Sequence, residues 1–340
     1  MIGANTAHIT IMENHILSCD WGTSSFRLRL VDLHDDNIIA EQASAQGVAV
    51  TFDEWENKGR ATAKDIFFRQ QLKKEIETLA QKVQVDLAGI VTIVSGMASS
   101  SIGMHELPYA ALPFALSGSD AIVQTWNPSE EFPHKLLLIS GVRSGQNAMR
   151  GEETQLIGLS ELVELPQNAN EAIFIFPGTH SKHIYVRSSQ LINVATYMTG
   201  ELFHLMATQS ILKDSVELSS LSDEIENNKE AFLLGVREAG TEGIMKSLFT
   251  VRTNQLFNRL DKKENTHYLS GLLIGAELNH LAGEKNSTLV LCSGYNLNSF
   301  YTLALEELGL SSRTITVPAP LIEKASIMGQ IKIYKHNSIQ

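Results

Sequence analysis

Short apolar runs alternate along the chain with longer segments in which apolar residues recur at helical spacing. The short runs, rich in β-branched residues, predict strands. These strands are expected at Ile16–Cys19, Phe26–Leu33, Ala88–Val94, Lys135–Ile139, Ala172–Phe176, His183–Val186, Leu191–Ala195 and Thr288–Cys292. The helical spacing predicts helices at Trp55–Lys82 (broken near Gly59), Glu152–Val163, Glu201–Leu212, Asp223–Arg237, Glu242–Phe257, Gly271–Ala282, Asn298–Leu308 and Leu321–His336. Strands that alternate with helices indicate an α/β architecture.

Two of the predicted strand pairs are joined by nearly identical turns. The segments DWGTSSFRLRL, from Asp20, and PGTHSKHIYV, from Pro177, both pass between strands through Gly-Thr-x-Ser. A glycine lets the backbone approach a ligand closely, and the hydroxyl and N–H groups of such a turn suit a phosphate. Gly-Thr-Ser is also ordinary turn chemistry, but two copies, one at the start of each half, favour phosphate binding. The candidate residues are Gly22, Thr23 and Ser24 in the first turn, and Gly178, Thr179, Ser181 and Lys182 in the second.

Length and composition narrow the class of protein. The 340 residues suit two domains of ordinary size. The net charge of −11 gives no basic surface for nucleic acid or an anionic membrane, so neither is an expected partner. Cys19 and Cys292 each lie in an apolar run, which is typical of buried reduced thiols. No segment has the pattern of a secretion signal or a membrane span, so we expect a cytoplasmic protein; a homodimer is compatible with the sequence.

Asp20 stands at the end of a predicted strand, beside the first phosphate turn. A carboxylate there suits Mg²⁺, bound directly or through water, although a turn aspartate that bonds its own backbone is the alternative. No Walker motif is present, so a nucleotide would be held by the two opposed hairpins. This arrangement resembles the actin-like ATPase and sugar-kinase superfamily. The resemblance implies two ribonuclease-H-like domains with an ATP cleft between them.

Two adjacent acids, Glu152 and Glu153, open the helix predicted after Gly151. Acids at a helix N-terminus complement the helix dipole, which is a sufficient structural explanation. In sugar kinases of the superfamily, however, a carboxylate at a helix start before the second hairpin takes the proton of the attacking hydroxyl. The resemblance therefore makes Glu152 or Glu153 the candidate general base, and spacing alone does not choose between them.

A longer series of motifs narrows the resemblance to one family. In chain order they are DWGTSSFR, SGMASSSIGMHELPY, GVRSGQNAMRGEETQLIG, FPGTHSKHIYV, TYMTGELF and LIGAEL, between about Ile16 and Leu310. Their combination resembles 2-dehydro-3-deoxygalactonokinase. The family implies ATP-dependent phosphorylation of the C6 hydroxyl of 2-dehydro-3-deoxy-D-galactonate, in carbohydrate breakdown. Two segments depart from the family pattern, SSSIGM after the first Gly-Met and His183 after GTHSK, and these affect only the identity of the sugar acid.

The substrate that the resemblance implies carries a carboxylate, which requires an arginine or lysine. Arg143, directly after a strand, is the first candidate, followed by Arg27, whereas Arg29 and Arg150 are expected to form ion pairs. Further substrate contacts are expected from Ser95, Gly96, Met97 and Ser99, at another strand end.

The nucleoside is expected to contact Ser293, Gly294 and Tyr295, although a simple strand-to-helix turn would also explain this segment. Gly271 is expected to let the nucleotide approach closely, and a buried helix is the structural alternative there. His180 and His183 lack a third ligand nearby, so we expect ordinary hydrogen-bonding histidines and no zinc.

The domain boundary is taken from the repeat of the two turns. Residues 1–142 are expected to carry the first phosphate hairpin and the sugar-binding region, and residues 143–340 the second hairpin and the nucleoside site. Three alternatives remain: a kinase for another sugar or 2-keto-3-deoxy sugar acid, a non-kinase actin-like ATPase, and a sugar-acid sensor without catalysis. The last is disfavoured because Asp20, Glu152 and Glu153 are all present.

Overall fold

The computed structural model describes residues 14–164, 171–218, 225–241 and 243–338. The chain divides into two compact units, one formed by residues up to 164 together with residues from 323 onward, and the other by residues 165–322. This division differs from the expected one between residues 142 and 143. The helix that follows Gly151 remains with the first unit, because its Gly158 packs against the backbone of Ala325, in the returning C-terminal segment.

The first unit is built around one six-stranded sheet. Its strands and helices are β1 (His15–Trp21), β2 (Phe26–Asp32), β3 (Asn37–Ser44), α1 (Val48–Asn57), α2 (Lys64–Val83), β4 (Val91–Gly96), β5 (Ala110–Ala111), β6 (Phe114–Ala115), β7 (Val123–Trp126), β8 (Leu136–Ile139), β9 (Val142–Arg143), β10 (Ala148–Met149) and α3 (Glu152–Leu162). The sheet order is β3-β2-β1-β4-β8-β7. The pairs β1–β2 and β2–β3 are antiparallel, and β4 lies parallel to both β1 and β8.

The second unit repeats this plan. It contains β11 (Glu171–Phe176), β12 (Ser181–Arg187), β13 (Gln190–Tyr197), α4 (Thr199–Gln209), α5 (Lys229–Ala239), α6 (Ile244–Leu256), α7 (Lys262–Leu278), β14 (Thr288–Leu291), α8 (Tyr295–Glu307) and β15 (Thr314–Thr316). Its strands follow the order β15-β14-β11-β12-β13; the pairs β15–β14 and β14–β11 are parallel, and the pairs β11–β12 and β12–β13 are antiparallel. Each unit thus has a ribonuclease-H-like sheet, which confirms the predicted α/β, actin-like fold.

The last helix, α9 (Ala319–Ser338), returns the chain to the first unit from residue 323 onward. The buried Gln330 donates from Nε2 to the carbonyl of Cys19, at 2.9 Å, and to Oγ of Ser95, at 2.8 Å. Gly329 lies against the backbone of Thr154, where a Cβ would come within 1.9 Å of the carbonyl oxygen. The prediction that this segment forms a helix packed on the first half is therefore confirmed.

All eight predicted strands exist, with shifts at their ends, and the predicted helix break near Gly59 falls between α1 and α2. Helix α7 begins nine residues before the predicted Gly271, because Asp261 and Glu264 form a capping box. The predicted starts Asp223 and Glu242 lie outside the described residues. None of the described helices is long and apolar enough to cross a membrane.

Candidate active site

Residues of the hydrophobic core hold the first phosphate turn in place. Trp21 is buried, packs edge-on against Phe26 with ring centroids 5.1 Å apart, and donates from Nε1 to the carbonyl of Gln46 at 3.0 Å. The Gly22 N–H donates to the Ser25 carbonyl at 2.9 Å and closes the turn. The backbone of the turn is thus held in place while the exposed hydroxyls of Thr23 and Ser24 face solvent.

Asp20 is half-buried at the end of β1 and meets the start of α3 through two glycines. Gly96 has φ +91°, and a Cβ there would lie 3.3 Å from Oδ1 of Asp20; a Cβ on Gly151, at φ +107°, would lie 3.4 Å from Cα of Gly96. Both glycines therefore provide positive φ and close packing. Burial, and then the charge of Glu152, raise the pKa of Asp20, while Arg27 and Arg29 act in the opposite direction.

Glu152 and Glu153 occupy different environments. Glu153 is 2% exposed, and both its carboxyl oxygens accept from the Gly151 N–H, at 2.8 and 3.0 Å. Thr154 donates to the same group at 3.0 Å. Burial and the neighbouring Glu152 raise the pKa of Glu153 to about 8, so Glu153 holds a proton at neutral pH. Glu152 is only half-buried and is therefore the accessible member of the pair.

The serines expected near the substrate, at the end of β4, are buried and bonded to other parts of the protein. Ser95 and Ser99 are buried, and each hydroxyl has a protein partner: Ser95 accepts from Gln330, and Ser99 accepts from Arg150 at 2.8 Å. Arg150 also donates to the Leu107 carbonyl at 2.9 Å, so the ion pair expected for it is replaced by neutral partners. Met97 is half-buried and packs on the core of the unit.

The two arginines expected to bind the substrate carboxylate are both exposed. Arg143 lies on β9, and its side chain forms no hydrogen bond or ion pair with the residues that the structure describes. Arg27 is 47% exposed and lies 3.8 Å from Glu41, which also forms a 2.7 Å ion pair with the buried Arg29. The ion pair predicted for Arg29 is therefore confirmed, and Arg143 is the arginine with more freedom to meet a ligand.

The second phosphate turn joins β11 to β12 and is held at both ends. The Gly178 N–H donates to Oγ of Ser181 at 3.3 Å, and the Thr179 carbonyl accepts from the N–H of Glu201 at 3.0 Å. The buried Lys182 donates to the His180 carbonyl at 3.1 Å. Gly178 does not need a positive φ, and no atom lies within 4 Å of a Cβ placed on it. Its lack of a side chain therefore leaves open space rather than relieving backbone strain.

An open pocket of about 390 Å³, counting the solvent space at its mouth, adjoins this turn. Its lining is largely apolar and comes from β11–β12, α4, α7 and α8. The lining residues are Gly178, Thr199, Gly200, Phe203, Ser270, Leu273, Ile274, Leu297 and Tyr301. Only Gly178 among them was predicted. The other contributions come from helices far apart in sequence, although Thr199–Phe203 belongs to the TGELF motif.

The residues expected around the nucleoside are placed less favourably. Ser293 is buried and bonds the neighbouring Gly294 carbonyl, whereas Gly294 and Tyr295 are exposed at the start of α8. Gly271 lies in α7, where a Cβ would come within 2.0 Å of the Phe232 carbonyl, so the buried-helix alternative accounts for this glycine. The glycine is required for helix packing against α5.

A buried polar cluster lies behind the pocket and was not predicted. Glu277 of α7 is 2% exposed and accepts hydrogen bonds from Tyr301, Thr199 and His183. The prediction of ordinary hydrogen-bonding histidines is confirmed, since His183 bonds Glu277 at 3.0 Å and His180 bonds Glu201. Among the described residues, no group of three or more His, Cys, Asp and Glu side chains is arranged to hold a metal ion.

The sequence is similar to one family of known proteins. The sequence matches the family model described as 2-keto-3-deoxy-galactonokinase over residues 20–330. A 2-dehydro-3-deoxygalactonokinase of Escherichia coli (strain K12) is 31% identical over 226 residues, which are 64% of this chain and 70% of the relative. A Rhizobium meliloti (strain 1021) protein named "probable 2-dehydro-3-deoxygalactonokinase" is 29% identical over 304 residues, 87% of this chain and 90% of the relative.

Solved structures agree with the fold. The crystal structure of an inferred 2-dehydro-3-deoxygalactonokinase from Sinorhizobium meliloti has a TM-score of 0.69 and 26% identity, covering 94% of this chain and 96% of that one. An activator of 2-hydroxyisocaproyl-CoA dehydratase from Clostridium difficile, with bound ADPNP, has a TM-score of 0.51 and 12% identity, covering 96% and 97%. At that identity the second likeness shows the fold alone.

Proposed function

Because the chain belongs to the 2-keto-3-deoxy-galactonokinase family, we propose that it transfers the γ-phosphoryl group of ATP to the C6 hydroxyl of 2-dehydro-3-deoxy-D-galactonate. The products are ADP and the 6-phosphate of the sugar acid. The observation that carries this proposal is the pair of unlike glutamates at the start of α3, one buried with its pKa raised to about 8, the other accessible beside Asp20.

Glu152 is the general base in this proposal. It takes the proton of the C6 hydroxyl as the hydroxyl oxygen attacks the γ-phosphorus and the bond from that phosphorus to the bridging oxygen of ADP breaks. Glu153 does not serve this role, because its carboxyl group is buried and bonded to the Gly151 N–H and the Thr154 hydroxyl. Since Glu153 is protonated at neutral pH, it also places no second negative charge beside the base.

Asp20 is the residue that would hold Mg²⁺. Its half-buried carboxylate forms no hydrogen bond within the described part of the chain, and its pKa is raised by burial and by Glu152. A cation would stabilise the two carboxylates in their charged forms, so the site fits a hard, oxygen-bound metal. Mg²⁺ bound with ATP neutralises the charge on its phosphates. Because few protein ligands are present, water and phosphate oxygens would complete its coordination.

The second unit would bind the nucleotide. The apolar pocket suits a base, while the exposed Thr179, the open space at Gly178 and the ammonium group of Lys182 suit phosphate oxygens. In the first unit, Arg143 would hold the carboxylate of the sugar acid through a charge-assisted hydrogen bond. We place this reaction in the cytoplasm, where ATP is available and the two buried cysteines stay reduced.

The test is a coupled assay of ADP release over a panel of 2-keto-3-deoxy aldonates and neutral ketoses. We expect the galactonate derivative to give the highest kcat/KM, and Glu152→Gln to lower kcat roughly 10²–10⁴-fold with both KM values retained. A neutral ketose turned over faster than every acid would overturn the substrate assignment in favour of another sugar kinase. An unchanged kcat in Glu152→Gln would overturn the assignment of the base.

A further inference from the structure

A directed series of hydrogen bonds leads from the second phosphate turn into the interior of the second unit. The Gly178 N–H donates to Oγ of Ser181, the Ser181 hydroxyl bonds the Tyr301 hydroxyl at 3.0 Å, and Tyr301 donates to Oε2 of Glu277 at 2.8 Å. Since Tyr301 uses its proton toward Glu277, Ser181 must be the donor to Tyr301. Every proton in the series therefore points toward the carboxylate.

Glu277 is the common acceptor for three other elements. Besides Tyr301 of α8, it accepts from the Thr199 hydroxyl at the start of α4 and from Nε2 of His183 in β12, at 3.0 Å for the histidine. Burial and the charge of Glu277 raise the pKa of Tyr301 well above its ordinary value, so the phenol stays protonated and remains a donor. One carboxylate thus orients donors on three separate segments of chain.

Packing alone does not account for Glu277 at this position. A carboxylate in the last turn of a helix opposes the helix dipole, and a buried carboxylate loses its hydration; an apolar residue would avoid both costs. Glu277 lies in the last turn of α7 and is almost completely buried. Residues that break local rules in this way concentrate at functional sites. Its partners Thr199 and Tyr301 also line the pocket, as does Gly178 at the other end of the series.

We propose that Glu277 is a positioning residue for the nucleotide. It fixes Tyr301 and Thr199, in the pocket wall, in position relative to Ser181 in the phosphate turn. This inference rests on the proposed function, because it assigns the pocket and the turn to one nucleotide. The N–H of Glu201 in α4 bonds the Thr179 carbonyl of the turn directly, whereas Tyr301 of α8 is joined to the turn through the hydroxyl groups that Glu277 orients. Removing the acceptor should therefore loosen the binding of ATP and ADP without affecting the sugar acid.

The experiment compares Tyr301→Phe and Glu277→Gln with the wild type. Tyr301→Phe keeps the ring that lines the pocket and removes only the hydroxyl; Glu277→Gln keeps the shape and turns one acceptor oxygen into a donor group. We expect the Kd for ADP, measured by titration calorimetry, and the KM for ATP to rise roughly tenfold in each. The KM for the sugar acid and kcat should stay within about twofold of wild type.

Tyr268→Phe is the matched control. Tyr268 is another fully buried tyrosine, and its hydroxyl donates to Glu238 in contacts between α7 and α5, away from the turn. We expect it to lower Tm and leave the Kd for ADP unchanged. An unchanged Kd in Tyr301→Phe, or an equal rise in the Tyr268→Phe control, would overturn the positioning role. Wild-type protein that binds no ADP would instead overturn the proposed function from which the inference starts.

Discussion

Replacing Glu153 with glutamine should change how the stability of the first unit depends on pH. The folded-state pKa of Glu153, about 8, lies above the ordinary value of 4.5, so the folded protein binds this proton more tightly than the unfolded chain. The resulting stabilisation is complete below about pH 4.5 and is lost as pH rises through about 8. Glutamine has nearly the shape of the protonated acid and does not titrate, so Glu153→Gln should lose this dependence.

The magnitude follows from the size of the pKa shift. At 1.36 kcal/mol per pKa unit, the rise from 4.5 to about 8 corresponds to an upper limit of about 5 kcal/mol. The bonds from the Gly151 N–H and Thr154 favour the charged form of Glu153, so the pKa of about 8 is the net result of burial, the charge of Glu152 and these bonds. Between pH 5 and pH 9, which contains most of this change, we expect the wild type to lose about 4 kcal/mol more unfolding free energy than Glu153→Gln.

Tryptophan fluorescence makes this measurement specific. All three tryptophans, Trp21, Trp55 and Trp126, lie in the first unit, which also contains Glu153. Urea unfolding followed by their emission therefore reports the transition of this unit even if the second unit unfolds separately. The quantity compared is the difference in unfolding free energy between wild type and variant at each pH.

Two further variants test the cause. Glu161→Gln removes a half-exposed carboxylate from the same helix, paired with Lys332 at the surface, and should keep the wild-type pH dependence. Glu152→Gln removes the second contribution to the shift and should give an intermediate dependence. If Glu153→Gln and Glu161→Gln follow the same curve as the wild type, Glu153 is ionised at neutral pH and the distinction between the two glutamates is wrong.

Three other substitutions test the site, and a fourth, Gly271→Ala, serves as a comparison. Asp20→Asn should reduce Mg²⁺-dependent turnover at least roughly tenfold with an unchanged Tm, because the charge is lost and the shape kept; a Mg²⁺ titration that matches wild type would make Asp20 only a turn residue. Gly178→Val should raise the KM for ATP while the protein still folds, since a Cβ at this position meets no atom within 4 Å. By contrast, Gly271→Ala should lower Tm, because the new Cβ would meet the Phe232 carbonyl at 2.0 Å. An ATP affinity in Gly178→Val equal to that of the wild type would exclude the turn from the site. Arg143→Ala should raise the KM for the sugar acid by a factor that corresponds to roughly 1.5–3 kcal/mol and leave the KM for ATP unchanged. An equal rise in both KM values would indicate a structural role.

The longer strands that sequence reasoning missed share one property. Among the longer strands, β3, β7 and β15 were not predicted, and each lies at an edge of its sheet. The sequence of β3, NIIAEQAS, alternates between half-buried and exposed positions instead of forming an apolar run. Central strands are covered on both faces and have continuous apolar sequences, so they are easily recognised. Edge strands depend on pairing with a neighbour, which a local pattern does not report.

The site was predictable to the extent that its chemistry is local. The two turns and the Glu152–Glu153 pair are each contained in a few consecutive residues, and their positions followed from the sequence. Glu277 was missed because its contact with His183 joins residues 94 positions apart. Gly271 is a related case: a glycine indicates that something approaches closely, but only the structure shows that Phe232 of a neighbouring helix does so.

The return of α9 to the first unit has a consequence for biosynthesis. A ribosome releases residues up to 164 first, but at that stage Gln330 does not yet exist, and the Cys19 carbonyl and the Ser95 hydroxyl lack their donor. The complete second unit must be synthesised before the first can bury its last helix. The unit translated first is thus the one completed last, and during that interval its unfilled helix-binding surface is exposed to chaperones and proteases.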